Sequence, residues 1–153
     1  FGPEHARSAV IEAFAKLLAL SRLTTWDTLR PDALGRARRV VAATSDLREA
    51  SGRLSAERIA EAFALPVAGL AEILGRKRQT VAKTPDAESL QAPLLAFERI
   101  VRLRSVLSPE DFRKWLRMPN AELDGAAPLD WVRGGRAAAV ADLAEDMLSG
   151  TAT

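Results

Sequence analysis

One histidine, His5, and no cysteine stand in a chain of 153 residues. That inventory excludes a Cys/His nucleophile pair, a thiolate metal site and a disulfide framework. The carboxylate pairs Glu110-Asp111 and Glu145-Asp146 remain as candidates for acid–base work. Both have simpler readings. Glu110-Asp111 follows Ser108-Pro109 and reads as the first turn of a helix, where acids favour the positive end; Glu145-Asp146 reads as a solvated helix face. Arg133-Gly134-Gly135-Arg136 lacks the strand context and the glycine spacing of a phosphate loop. No catalytic residue, no metal site and no cofactor are expected, and the chain is not expected to be an enzyme.

The chemistry the residues do offer is recognition. Leu70-Ala71-x-x-Leu74-Gly75 followed by Thr80-Val81 has the spacing of a helix-turn-helix. A small residue, Ala71, lets two helices approach, Gly75 makes the tight turn, and Leu70, Leu74 and Val81 pin the second helix on the first. The second helix would then offer Arg76, Lys77, Arg78, Gln79, Thr80 and Lys83 to DNA. Arginine grips guanine through two bonds, glutamine pairs with adenine and lysine neutralises phosphate. Two features depart from the usual pattern: Arg76 stands where an apolar residue commonly follows the turn glycine, and Thr84-Pro85 ends the second helix early. A helix-turn-helix kept only as structural filler stays open as the alternative.

Composition fits such a role. Hydrophobic residues make up 48% of the chain, enough for a core, while aromatics are only 5%. Alanine and leucine supply most of the apolar surface, which favours helices, and no run alternates apolar and polar over a strand length. Residues 1–52 carry a charge balance of +2, residues 53–104 of +3 and residues 105–153 of −3. A basic middle and an acidic end suggest two different partners, one of them nucleic acid, or else ordinary surface variation. No apolar stretch is long enough to span a bilayer, and the lack of cysteine fits the cytoplasm. There is no basic-then-apolar leader; the chain begins at Phe1 without methionine, so an earlier natural beginning is left open.

The elements that must position these residues read as helices throughout. Ser8 to Leu20 is amphipathic, with Val10, Ile11, Phe14, Leu17 and Leu18 on one face. Thr24 to Asp27 is a break. Pro31 opens a second helix running through Leu34, Val40 and Val41 toward Leu47 and ending near Gly52. Arg36, Arg38 and Arg39 on it read as a solvated surface or, alternatively, as phosphate contacts. Ser55 caps a helix carrying Ile59, Ala60 and Phe63 inward. Short helices follow over Val67–Leu74 and about Lys77–Lys83, then a polar connector from Asp86 to Gln91. Leu94, Phe97, Ile100, Val101 and Leu107 mark a longer helix. Ser108 caps the next, bearing Phe112, Trp115 and Leu116, and Pro119-Asn120 breaks it. Pro128 opens a short helix through Leu129 and Trp131. A last helix, about Arg136 to Leu148, turns Val140, Leu143 and Met147 inward.

The C-terminal order is more specific than its parts: Trp115-Leu116, Pro119-Asn120, Leu123-x-Gly125, Pro128-Leu129, Gly135, then Val140, Leu143 and Gly150. Residue by residue, most of these read as the core of a small helical domain. Together they resemble the toxin-binding domain of MbcA/ParS/Xre-type antitoxins, a resemblance covering roughly the C-terminal two thirds from about Leu54. The resemblance implies a partner, a RES-domain toxin that consumes NAD and is blocked by the antitoxin. It also implies a homodimer whose helix-turn-helix binds operator DNA and represses its own operon. The toxin-binding residues it implies are Trp115, Asn120, Pro128, Trp131, Met147, Leu148 and Gly150. Trp131 replaces a usually aliphatic residue and Arg133-Gly134 is a modest departure, which leaves the approach to the toxin open. The segment Met147–Thr153 could enter an enzyme cleft, or be a frayed end.

The expected fold is all-α: an N-terminal helical extension over 1–52, a helix-turn-helix module over 53–107 and a partner-binding domain over 108–153. The expected function is that of a type II antitoxin. A stand-alone transcriptional regulator and a helical adaptor without DNA are the alternatives.

Overall fold

The computed structural model describes residues 31–150. The amphipathic stretch Ser8–Leu20, the break at Thr24–Asp27 and the end of the tail, 151–153, lie outside the described residues. Within them the fold is all-α, with no strand and a single isolated bridge, Arg48 to Leu54. The helices are α1 (Pro31–Thr44), α2 (Ala56–Ala62), α3 (Val67–Ile73), α4 (Arg78–Lys83), α5 (Glu88–Val101), α6 (Pro109–Arg117), α7 (Pro128–Arg133) and α8 (Ala137–Ser149). Short 3-10 turns follow α1 (Ser45–Leu47), α5 (Arg102–Ser105) and α6 (Ala121–Leu123).

Local chemistry sets most boundaries where the sequence places them. The Ser55 hydroxyl accepts from the Arg58 amide at 3.4 Å and the Ser108 hydroxyl from the Asp111 amide at 3.0 Å, so both serines cap as expected. Pro31, Pro109 and Pro128 each open a helix, where no N–H is needed. Gly75 stops α3 at φ +68°.

Three boundaries differ. The helix from Pro31 does not run to Gly52; it stops at Thr44. The Thr44 and Ser45 hydroxyls bond back to the carbonyls of Val41 and Ala42, and Leu47 and Leu54 are both fully buried. A hairpin joins them: Arg48 and Leu54 form a bridge, the Ser55 amide donates to the Leu47 carbonyl at 2.9 Å, and Gly52 at φ +90° makes the turn. The connector expected over Asp86–Gln91 is already helical from Glu88, and the Gln91 side chain is turned to the hairpin instead of to solvent. Its Oε1 accepts from the Leu54 amide at 2.6 Å, and its Nε2 donates to the Leu54 carbonyl at 3.0 Å. The helix expected to reach Leu107 tightens into a 3-10 turn after Val101, and Leu107 is only half-buried.

One continuous core joins all of this. Phe63 at the end of α2 meets Phe97 of α5 edge-on at 5.4 Å between ring centroids and Phe112 of α6 at 5.7 Å. Helix α5 is the spine: α2 and α8 pack on it, and the 3-10 turn at its end packs on α1, α6 and α8. Among the described residues no buried side-chain nitrogen or oxygen lacks a partner.

Candidate recognition surfaces

Helices α2, α3 and α4 pack on one another in a small trihelical unit. Leu70, Ala71 and Val81 are buried and Leu74 is half-buried, so the residues expected to hold a helix-turn-helix do hold α4 on α3. Val81 is the one buried residue of α4, and the rest of that short helix stands out. Lys77, Arg78, Gln79, Thr80 and Lys83 are all exposed on it or at its cap. Arg76 is also exposed, but its guanidinium reaches the Ser89 carbonyl of α5 at 3.3 Å. The arginines of α1, Arg36, Arg38 and Arg39, are exposed.

The C-terminal elements stack in chain order, α6 against α7 and α7 against α8, with α8 returning onto α5. Asn120 organises the loop between α6 and α7. Its side chain accepts from the Glu122 amide at 2.9 Å, and its carbonyl accepts from Leu123 and Gly125. Its own amide donates to the Ala126 carbonyl at 3.0 Å. The chain can close this way because Asp124 and Gly125 both take positive φ, +55° and +82°. The Asn-x-x-Leu-x-Gly spacing read in the sequence is therefore loop architecture first. Pro128 is buried at the start of α7, and Gly150 ends α8 in the left-handed conformation, φ +74°.

Trp115, Trp131 and Leu148 are half-buried and pack against the core, while Met147 is 38% exposed. Met147 corrects the sequence expectation, which turned it inward with Val140 and Leu143: Val140 is buried and Leu143 half-buried, but Ala141, Ala144 and Leu148 continue the inner face of α8 and leave Met147 at its edge. The Arg136 guanidinium lies 3.9 Å from the Trp131 ring centroid and covers one face of it. Trp131 and Met147 do not form one spot. Met147 lies about 15 Å along α8 from the end that α7 feeds, at 1.5 Å per residue.

Charge fixes α8 in place. Arg99 of α5 donates through Nε to Glu145 at 2.7 Å and through Nη2 to Asp142 at 2.6 Å, and Arg102 lies 3.6 Å from Glu145. The hydrogen bond from Arg99 holds the Glu145 carboxyl below its ordinary range, and the two carboxylates raise Arg99 further above its own. Sequence reasoning missed Arg99, Arg113 and Arg117. The last two bind the C-terminal end of α2: Arg113 donates to the Glu61 carbonyl, and Arg117 to those of Phe63 and Ala64. Cations at a helix C-terminus answer its unpaired carbonyls, but the partners are more than fifty residues away in sequence.

Of the acids weighed in the sequence, Glu110 lies 3.4 Å from Lys114 one turn on, and Glu145, read there as part of a solvated face, is held by Arg99. A cleft of about 610 Å³ between α2 and the start of α6 is lined by Asp46, Glu49, Glu57, Glu61, Arg58, Arg104 and Arg113. Two ion pairs lie in it, Arg104 to Asp46 at 2.9 Å and Arg58 to Glu49 at 3.2 Å. Among the described residues no group of three or more His, Cys, Asp or Glu could hold a metal ion, and no helix is long and apolar enough to cross a membrane.

No curated protein and no solved structure matches the chain. A family model does match residues 102–148, the span from the 3-10 turn after α5 to the last turn of α8. It is that of the antitoxin Xre/MbcA/ParS C-terminal toxin-binding domain, and it bears out the resemblance for these residues; the stretch from Leu54 to Val101, which the resemblance also took in, and Gly150 lie outside the match.

Proposed function

We propose that this protein is the antitoxin of a type II toxin–antitoxin system. The match of residues 102–148 to an antitoxin's toxin-binding domain carries the reading. In it, residues 108–153 capture a RES-domain toxin that consumes NAD. Residues 53–107 form a helix-turn-helix module that binds operator DNA and represses the operon, and residues 1–52 are an extension. The working unit is a homodimer in the cytoplasm, and the protein itself catalyses nothing.

Trp115, Trp131, Met147 and Leu148 are the apolar groups offered to the toxin; Asn120, Pro128 and Gly150 hold the loops and ends that present them. Lys77, Arg78, Gln79, Thr80 and Lys83 are offered to DNA, with Arg76 in the turn beside them. Support for the DNA half comes from the packing of α3 and α4 and from a cationic outer face at the place a recognition helix occupies.

Co-expression with the RES-domain toxin that it is proposed to capture tests the reading. The chain is expected to relieve the growth arrest that the toxin causes and to co-purify with it. A chain that does neither is not its antitoxin. Truncation after Leu148 separates the tail from the surface: inhibition unchanged by the cut removes the tail from the mechanism.

A further inference from the structure

Arg76 is held differently from the other cations of the helix-turn-helix. Its own backbone is closed onto α3, since its amide donates to the Ala71 carbonyl at 2.9 Å just after the left-handed Gly75. The next residue, Lys77, stands at the N-cap position of α4. The Arg76 side chain reaches to a third helix, where Nη2 donates to the Ser89 carbonyl in the first turn of α5 at 3.3 Å.

That carbonyl is not an arbitrary one. Pro93 lies inside α5, four residues after Ser89. In an α-helix the oxygen of residue i−4 takes its hydrogen from the amide of residue i, and proline has none to give. The guanidinium thus occupies the position that Pro93 leaves without a donor. One residue joins α3 by its backbone, α4 by sequence and α5 by its side chain. This also accounts for a cation where an apolar residue usually follows the turn glycine.

We propose that Arg76 is a positioning residue for the DNA-binding module. It locks the turn between α3 and α4 against α5, and so fixes the direction in which α4 presents Lys77, Arg78, Gln79, Thr80 and Lys83. Arg76 itself does not contact phosphate or base. The proposal rests on the DNA-binding reading above, with Pro93 as the second half of the device.

Two measurements on the full chain test it. Thermal unfolding is compared for the unsubstituted chain, Arg76→Gln, Pro93→Ala and the double variant. Arg76→Gln is expected to lower Tm by about 2–4 °C, the range for losing one hydrogen bond in a chain of this size. In the Pro93→Ala background, where the substituted residue supplies the missing amide, the same change at Arg76 is expected to alter nothing measurable. An equal loss in both backgrounds overturns the clamp.

Binding to a short mixed-sequence DNA duplex is then titrated against salt, well below Tm. Arg76→Gln is expected to weaken binding severalfold with the salt slope unchanged, whereas Lys77→Gln lowers the slope by about one, the loss of one phosphate contact. A slope that falls as much for Arg76→Gln as for Lys77→Gln makes Arg76 a phosphate contact and overturns the proposal. Should the unsubstituted chain not bind the duplex at all, the DNA reading fails, and the unfolding cycle still decides whether Arg76 and Pro93 are coupled.

Discussion

Arg48 and Glu98 form a two-pronged ion pair across fifty residues: Nε donates to Oε2 at 3.0 Å and Nη2 to Oε1 at 2.8 Å. Glu98 is buried, on the face of α5 that meets the hairpin from Leu47 to Leu54, and Arg48 also donates to the Gly52 carbonyl in that hairpin's turn. The pair ties the segment before α2 to the spine of the fold. Glu98→Ala would leave the guanidinium half-covered and short of its counter-charge. It is expected to cost about 2–3 kcal/mol, below the full penalty for a broken buried pair because the Arg48 side chain keeps 24% of its exposure. Urea unfolding checks this. Replacing both residues with Arg48→Met and Glu98→Leu is expected to lose less than Glu98→Ala alone.

Ala64 follows α2 with φ +55°, where glycine is usual. The Leu65 amide closes back on Ala60 at 2.8 Å, which fixes that left-handed turn. A left-handed alanine costs roughly 1–2 kcal/mol, partly offset by the greater entropy a glycine would lose on folding. Ala64→Gly is therefore expected to raise stability by up to about 1 kcal/mol, seen as a small rise in Tm. A fall in Tm would mean that the alanine methyl contributes packing that outweighs its backbone conformation.

Asn120 supplies the oxygen that caps the 3-10 turn Ala121–Leu123. Asn120→Ala removes that acceptor and is expected to cost about 1 kcal/mol, while Asn120→Asp, which keeps it, costs much less. Chemical denaturation separates the two. Equal losses would place the role of Asn120 in its amide group.

The attachment of α8 depends on pH through Glu145. Its folded pKa lies below its ordinary value of 4.5, with the Arg99 hydrogen bond as the leading cause. The sign follows: the unfolded chain takes up the proton first, so the stabilisation is complete above 4.5 and disappears as pH falls through the lower folded value. Arg99 stays charged throughout that range. Stability is expected to fall on acidification below 4.5 in the unsubstituted chain and to fall less in Glu145→Gln. Matching pH profiles for the two would show that Glu145 contributes nothing.

Local signals in the sequence reached the structure intact where one or two neighbours decide the outcome. Ser55, Ser108, Gly75 and the helix-opening prolines are of this kind: capping and left-handed turns are settled within four residues. The α3–α4 pair was legible for the same reason, since Leu70, Ala71, Gly75 and Val81 act across a single turn. What could not be read were bonds between distant segments. Gln91 holds the backbone of Leu54, Glu98 is buried by Arg48, and Arg117 answers the end of α2; none has a local signature that distinguishes it from a solvated side chain. The hairpin after Thr44 was hidden because Leu47 is equally at home on an amphipathic helix. Met147 shows the opposite limit. Helical spacing grouped it with Val140 and Leu143, but the face that packs runs through Ala141, Ala144 and Leu148 and leaves it at the edge.

The antitoxin reading stands on toxin capture by the surface that residues 102–148 carry, so affinity for the toxin decides it. Trp131, half-buried and covered on one face by Arg136, is the residue to change. Trp131→Ala in the full chain is expected to weaken binding to the proposed RES-domain toxin at least about tenfold, the range for an aromatic anchor at an interface, with helix content unchanged. An unsubstituted chain with no affinity for that toxin would refute the reading.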